Sequence, residues 1–103
     1  MEVVFHKVPV EFMINFYGVN GPAIRNKIAG INYENLGVIN LDVSSDDPED
    51  IAEELFDLTN NPGRQDEREE RYGRGPSLSV GDMVEILETG KCVVCMPSGW
   101  EVL

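Results

Sequence analysis

The sequence predicts an α+β fold, a small and mostly antiparallel sheet with an acidic amphipathic helix packed on one face and a C-terminal three-stranded meander. In the opening segment Val4, Val8, Val10, Phe12, Ile14 and Phe16 fall on even positions, the period of a half-buried strand. From residue 48 the pattern changes to a helical one, with apolar residues on one half of the cylinder and carboxylates on the other. The last quarter divides into three short apolar runs separated by Thr89-Gly90 and Pro97-Ser98-Gly99. With 103 residues, a single domain over 1–103 is expected.

The first strand carries Lys7, Glu11 and Asn15 on its polar face and His6 on its apolar one. Pro9 has no amide hydrogen, so the strand is expected at a sheet edge or bulged there. Gly18 and Asn20-Gly21-Pro22 end it. Pro22 opens a short helix to about Ile28, and Gly30 closes it. Residues 37–43 form a second strand with Ile39, Leu41 and Val43 on one face. Asn35 and Gly37 interrupt the pattern, which sets residues 31–33 apart as a short separate strand.

Asp46 or Asp47 caps the next helix, Pro48 suits its first position, and Glu49 and Asp50 favour the positive end of its dipole. Ile51, Ala52, Leu55, Phe56, Leu58 and Thr59 share one half of its surface. Glu49, Asp50, Glu53, Glu54 and Asp57 share the other. The helix stops near Asn60, ahead of Asn61-Pro62-Gly63. Residues 60–76 contain no large aliphatic residue and a single aromatic, Tyr72, so an exposed polar loop is expected there. In the meander Met83–Glu88, Lys91–Met96 and Trp100–Leu103 are strands, and Gly90 and Gly99 supply the positive φ of the turns.

Charge is local. The chain carries −11, and residues 42–57, with eight acids and no base, account for −8 of it. Residues 1–41 and 58–76 each balance, and residues 77–103 add −3. Such a chain repels phosphate backbones, so no direct contact with nucleic acid is expected. The longest uncharged stretch, Phe12 to Ile24, contains Asn, Gly and Pro and falls short of the roughly 18 apolar residues a membrane span needs. No basic segment leads into an apolar core and a small-residue cleavage site. A cytoplasmic location without membrane contact is the expectation.

Cys92 and Cys95 stand three residues apart on a strand, which puts their Cα atoms about 10 Å from each other on opposite faces. The pair therefore reads as reduced core cysteines of a reducing compartment, not as a disulfide or redox motif. Two cysteines and one histidine fall short of a structural zinc set, and the Asp42–Asp47 stretch lacks the glycine and ligand spacing of a calcium loop. His6 has no nucleophile device beside it in sequence, and no glycine-rich phosphate cradle occurs. No cofactor, no metal and no catalytic residue is expected.

The acidic helix carries the functional content. Its carboxylates repeat about 5–6 Å apart, comparable to phosphates along a strand, so the row suits a basic groove on a partner. The competing reading of the same row is a solvated face whose charge only keeps the chain soluble. Arg64, Arg68, Arg71 and Arg74 of the following loop are the cations placed to fold back onto it.

Ser77-Leu78-Ser79-Val80-Gly81-Asp82-Met83-Val84, a hairpin and then Gly99-Trp100 follow Phe56-Asp57-Leu58-Thr59-Asn60. Over residues 51–103 this pattern resembles the small YodL-like proteins of bacteriophages and mobile elements. In that family a basic residue usually precedes the S-x-S-V-G-D run, where this chain has Pro76. The resemblance implies a phage or mobile-element origin and transfers no catalytic residue. The combined expectation is a non-enzymatic accessory protein that binds a host protein, such as a basic nucleic-acid-binding factor, by charge mimicry. Glu49, Asp50, Glu53, Glu54 and Asp57 would supply the charge, and Arg68, Arg71 and Tyr72 the specificity. The alternative is a β-rich peptide- or ligand-binding module built around Trp100.

Overall fold

The computed structural model describes residues 1–18 and 21–103. One five-stranded antiparallel sheet runs in the order β2-β1-β3-β4-β5. Its strands are β1 (Glu2–Lys7), β2 (Glu34–Asn40), β3 (Met83–Ile86), β4 (Cys92–Cys95) and β5 (Trp100–Val102). The α+β class and the β3–β5 meander are those the sequence predicts, and Gly90 and Gly99 take the positive φ their turns require.

β1 corrects the expectation of a strand, at an edge or bulged at Pro9, that runs on to residue 16. It lies between β2 and β3 and stops at Lys7. Val8 turns its N–H to the Asp82 carboxylate at 2.9 Å, and Pro9 has none to offer, so the ladder ends there. Residues Val10–Phe16 then form a 3-10 helix, whose three-residue turn scatters the apolar side chains that alternation had aligned. Phe16 is buried and Phe12 and Met13 are half-buried, while Val10 and Ile14 face outward. Val3, Val4 and Phe5 are all buried, because both faces of a central strand are covered here.

Alternation divides the core in two. Val3, Phe5, Ile39, Val84, Ile86, Val93 and Cys95 pack beneath helix α2 (Pro48–Asn60), whereas Val8, Phe16, Ile24 and Val94 close the other face with α1 (Gly21–Ala29) and the 3-10 helix. Asn20, part of the expected turn cluster, lies outside the described residues. β2 is one strand, not the two expected. Gly37, at φ +99°, absorbs the irregularity in its register with β1, so Asn35 and Gly37 sit inside the strand, which ends at Asn40.

α2 forms as its sequence dictates. The Asp47 carboxylate accepts the Glu49 N–H at 2.9 Å, Pro48 follows the cap, and the helix ends at Asn60. Ile51, Leu55 and Leu58 are fully buried and together contribute about 6 kcal/mol, at roughly 2 kcal/mol each.

The expected loop over 60–76 is corrected. Residues Pro62–Arg64 form a 3-10 turn and Gln65–Arg71 a helix, α3. The helix buries no side chain fully, and charge pairs hold it instead.

Candidate functional site

The five carboxylates singled out on α2 share a face but not a fate. Arg64 grips Glu54 through two parallel bonds, Nη1 to Oε1 at 2.9 Å and Nη2 to Oε2 at 2.8 Å. It also reaches Asp57 Oδ2 at 2.8 Å and Glu67 Oε1 at 2.8 Å. The hydrogen bonds it donates to Glu54, Glu67 and Asp57 raise the Arg64 guanidinium further above its usual range. Arg64 in turn holds the Glu67 carboxyl below the usual carboxylate range. The C-terminal half of the acidic face is thereby tied to a cation of the chain itself, which offsets part of its charge.

The N-terminal half is different. Ser45 donates to Asp50 Oδ2 at 2.7 Å and accepts the Asp47 N–H at 3.1 Å, which orders the approach to the helix. Asp42, Asp46, Asp47, Glu49, Asp50 and Glu53 are all exposed. Among the described residues none of these six forms an ion pair with a cation. The anionic surface is therefore shorter than the sequence suggests, and it extends backward into the segment before the helix.

Arg68, Arg71 and Tyr72 turn inward. Arg68 donates to the Gly75 carbonyl and sits 5.4 Å from the Tyr72 ring centre. The Tyr72 ring lies 5.7 Å from that of Phe5, and its hydroxyl donates to the Pro76 carbonyl at 2.7 Å. Burial raises its pKa. Arg71 donates to the Asn40 carbonyl at 3.0 Å and stands 3.4 Å from Glu67 Oε2. The side chains expected to read a partner hold α3 against the sheet.

Sequence reasoning gave Trp100 no link to the helix. The fold brings its indole N–H to Glu53 Oε2 at 2.6 Å and sets its ring edge-on to Phe56, with centres 6.1 Å apart. Between them and the β4–β5 turn lies a cleft of about 190 Å³, lined by Glu53, Phe56, Cys95, Met96, Pro97, Gly99 and Trp100. Both cysteines are free. Burial, with smaller contributions from Asp82 and Glu53, pushes the Cys95 thiol up to about 12, and burial also raises Cys92. These thiols are poor nucleophiles at neutral pH. His6 is half-buried and pairs with Glu85 Oε1 at 3.0 Å on the sheet face opposite α2. Among the described residues no group of three or more His, Cys, Asp or Glu is placed to hold a metal ion. No helix among them is long and apolar enough to cross a membrane.

No family model, curated protein or solved structure matches the chain. The two short motifs that prompted a resemblance meet each other in space. Ser77 Oγ donates to the Thr59 carbonyl at 2.6 Å, the Leu78 N–H to Thr59 Oγ1 at 3.0 Å, and Asn60 Nδ2 to the Leu78 carbonyl at 2.9 Å. Residues 77–78 thus satisfy the last turn of α2. Four residues on, the fully buried Asp82 accepts the Val8 and Ser79 N–H groups and the Lys7 ammonium. Gly81, at φ +92°, leaves no room for a Cβ, which would lie 2.9 Å from the Phe16 ring. Both motifs therefore have an architectural role that is sufficient to account for their residues.

Proposed function

We propose that this chain is a non-enzymatic acidic accessory protein that binds a basic host macromolecule through the anionic surface formed by residues 42–50 and the first half of α2. Competition with nucleic acid for a basic groove on that partner is the consequence. A phage or mobile-element origin belongs to the proposal and rests on the resemblance of the motifs alone. The observation that carries the reading is the set of six exposed carboxylates without a cation among the described residues, directly beside two others that the chain pairs with its own Arg64. A surface serving solubility alone has no need of such segregation. Six like charges within a short stretch repel one another, and a polycation relieves that repulsion.

The experiment is titration with polylysine at rising salt, comparing wild type with Glu49→Lys/Asp50→Lys/Glu53→Lys and with Glu69→Lys/Glu70→Lys/Glu88→Lys. Both triple variants change the net charge equally. Binding should weaken steeply between low and physiological ionic strength. The first variant should lose about tenfold more affinity than the second, since neighbouring charges act together. Equal losses would reduce the effect to net charge and refute a localised surface.

A further inference from the structure

The two edges of the sheet differ. On β2 the outward Asn40 carbonyl is taken by Arg71, the Gly37 N–H by the Asn35 side chain, and a register shift interrupts the strand between Asn35 and Val38. These features block strand pairing. On β5 no such device is present among the described residues. Cys95 gives its N–H to the Asp82 carbonyl and its carbonyl to the Gly81 N–H, so its neighbour Trp100 turns both backbone groups away from β4. The same alternation, marked by the Leu103 N–H on the Cys92 carbonyl, turns the N–H and carbonyl of Val102 outward.

We infer that the open edge of β5, with the adjoining cleft beneath α2, accepts an extended basic segment of the partner by strand addition. This deepens the proposed function and rests on it. A residue added opposite Trp100 places its side chain on the α2 side of the sheet, over the cleft. There Phe56 and Trp100 offer apolar surface to a lysine or arginine stem, and Glu53 offers its Oε1, which has no hydrogen-bond partner among the described residues, to the charged head. The cleft has room for one long side chain and little more. The next residue faces Glu101 on the opposite side, where a second cation pairs across the strands. Backbone bonds along the edge supply affinity without demanding a sequence, and the two carboxylates demand positive charge.

Trp100 is the single tryptophan, so its emission reports directly on the cleft. The probe is an acetylated, amidated hexapeptide with lysine at its four central positions and valine at each end, so that neighbouring lysines reach both faces, set against the same peptide N-methylated at its two central residues. Methylation removes a donor from each edge and leaves the charge unchanged. Val102→Pro removes the outward N–H from the protein without breaking a bond to β4. The unmodified peptide should shift the tryptophan emission saturably, and either change should weaken it about tenfold, the effect of one or two backbone hydrogen bonds. Equal affinity of the two peptides for wild type overturns strand addition and leaves the electrostatic reading standing. So does binding, seen by anisotropy of a labelled peptide, that leaves the Trp100 emission unmoved. Failure of both peptides and of polylysine overturns the two together.

Discussion

Asp82→Ala should destabilise the fold by about 4 kcal/mol, within the range for breaking a buried ion pair. The carboxylate is fully buried and receives the Val8 N–H at 2.9 Å, the Ser79 N–H at 2.8 Å and Lys7 Nζ at 2.8 Å. Truncation strands two amide donors, each costing about 1–2 kcal/mol where water is excluded. Lys7 loses its counter-ion but keeps Ser79 Oγ at 2.8 Å and the Ser77 carbonyl at 3.3 Å, and its side chain retains 19% exposure. Its share is therefore roughly 1 kcal/mol. Against a total stability of about 5–15 kcal/mol, the melting temperature should fall by roughly 15–30 °C. Asp82→Asn retains a carbonyl oxygen for one amide and should cost about half as much. Urea unfolding followed by far-ultraviolet circular dichroism, at unchanged m-value, measures both. A loss below about 1 kcal/mol for the alanine variant would refute the reading of Asp82 as the tie between β1 and the 79–82 turn.

Gly81→Ala combines a positive φ with a Cβ pressed onto the Phe16 ring, and should cost about 3 kcal/mol in the same assay. Arg64→Ala frees Glu54 and Asp57, so it should raise polylysine affinity about threefold at low salt while loosening α3, seen as faster amide exchange over residues 65–71. Glu67 ionises more readily folded than unfolded, so its contribution is present above the ordinary carboxylate range and lost as pH falls through its depressed folded pKa. Amide exchange in α3 should accelerate at acid pH before that of α2. Cys95 goes the other way: its thiol titrates near 9.0 unfolded and about 12 folded, so its contribution is complete below 9.0 and disappears as pH rises toward 12. Maleimide at neutral pH should leave Cys95 unmodified until the protein unfolds.

α2 was legible residue by residue. Its cap, its proline, its buried stripe and its stop are all local in sequence. α3 was not, because Gln-Asp-Glu-Arg-Glu-Glu-Arg has no apolar stripe and the helix is held largely by charge and by Tyr72. The spacing of Arg64, Glu67 and Arg71, three and four residues apart, was the available signal. The early halt of β1 was obscured for a related reason. A period of two continues through residues that a buried carboxylate, contributed from position 82, redirects into a 3-10 turn.

By itself the sequence determined the α+β class, the amphipathic helix and the segment that holds the negative charge, since each depends on neighbours within a few positions. Tertiary structure decided which of those charges stay available. Glu54 meets Arg64 ten residues away, and Glu53 meets Trp100 forty-seven away. Periodicity places a side chain on a face, but its partner comes from another element, and only the packing of the whole chain brings the two within bonding distance.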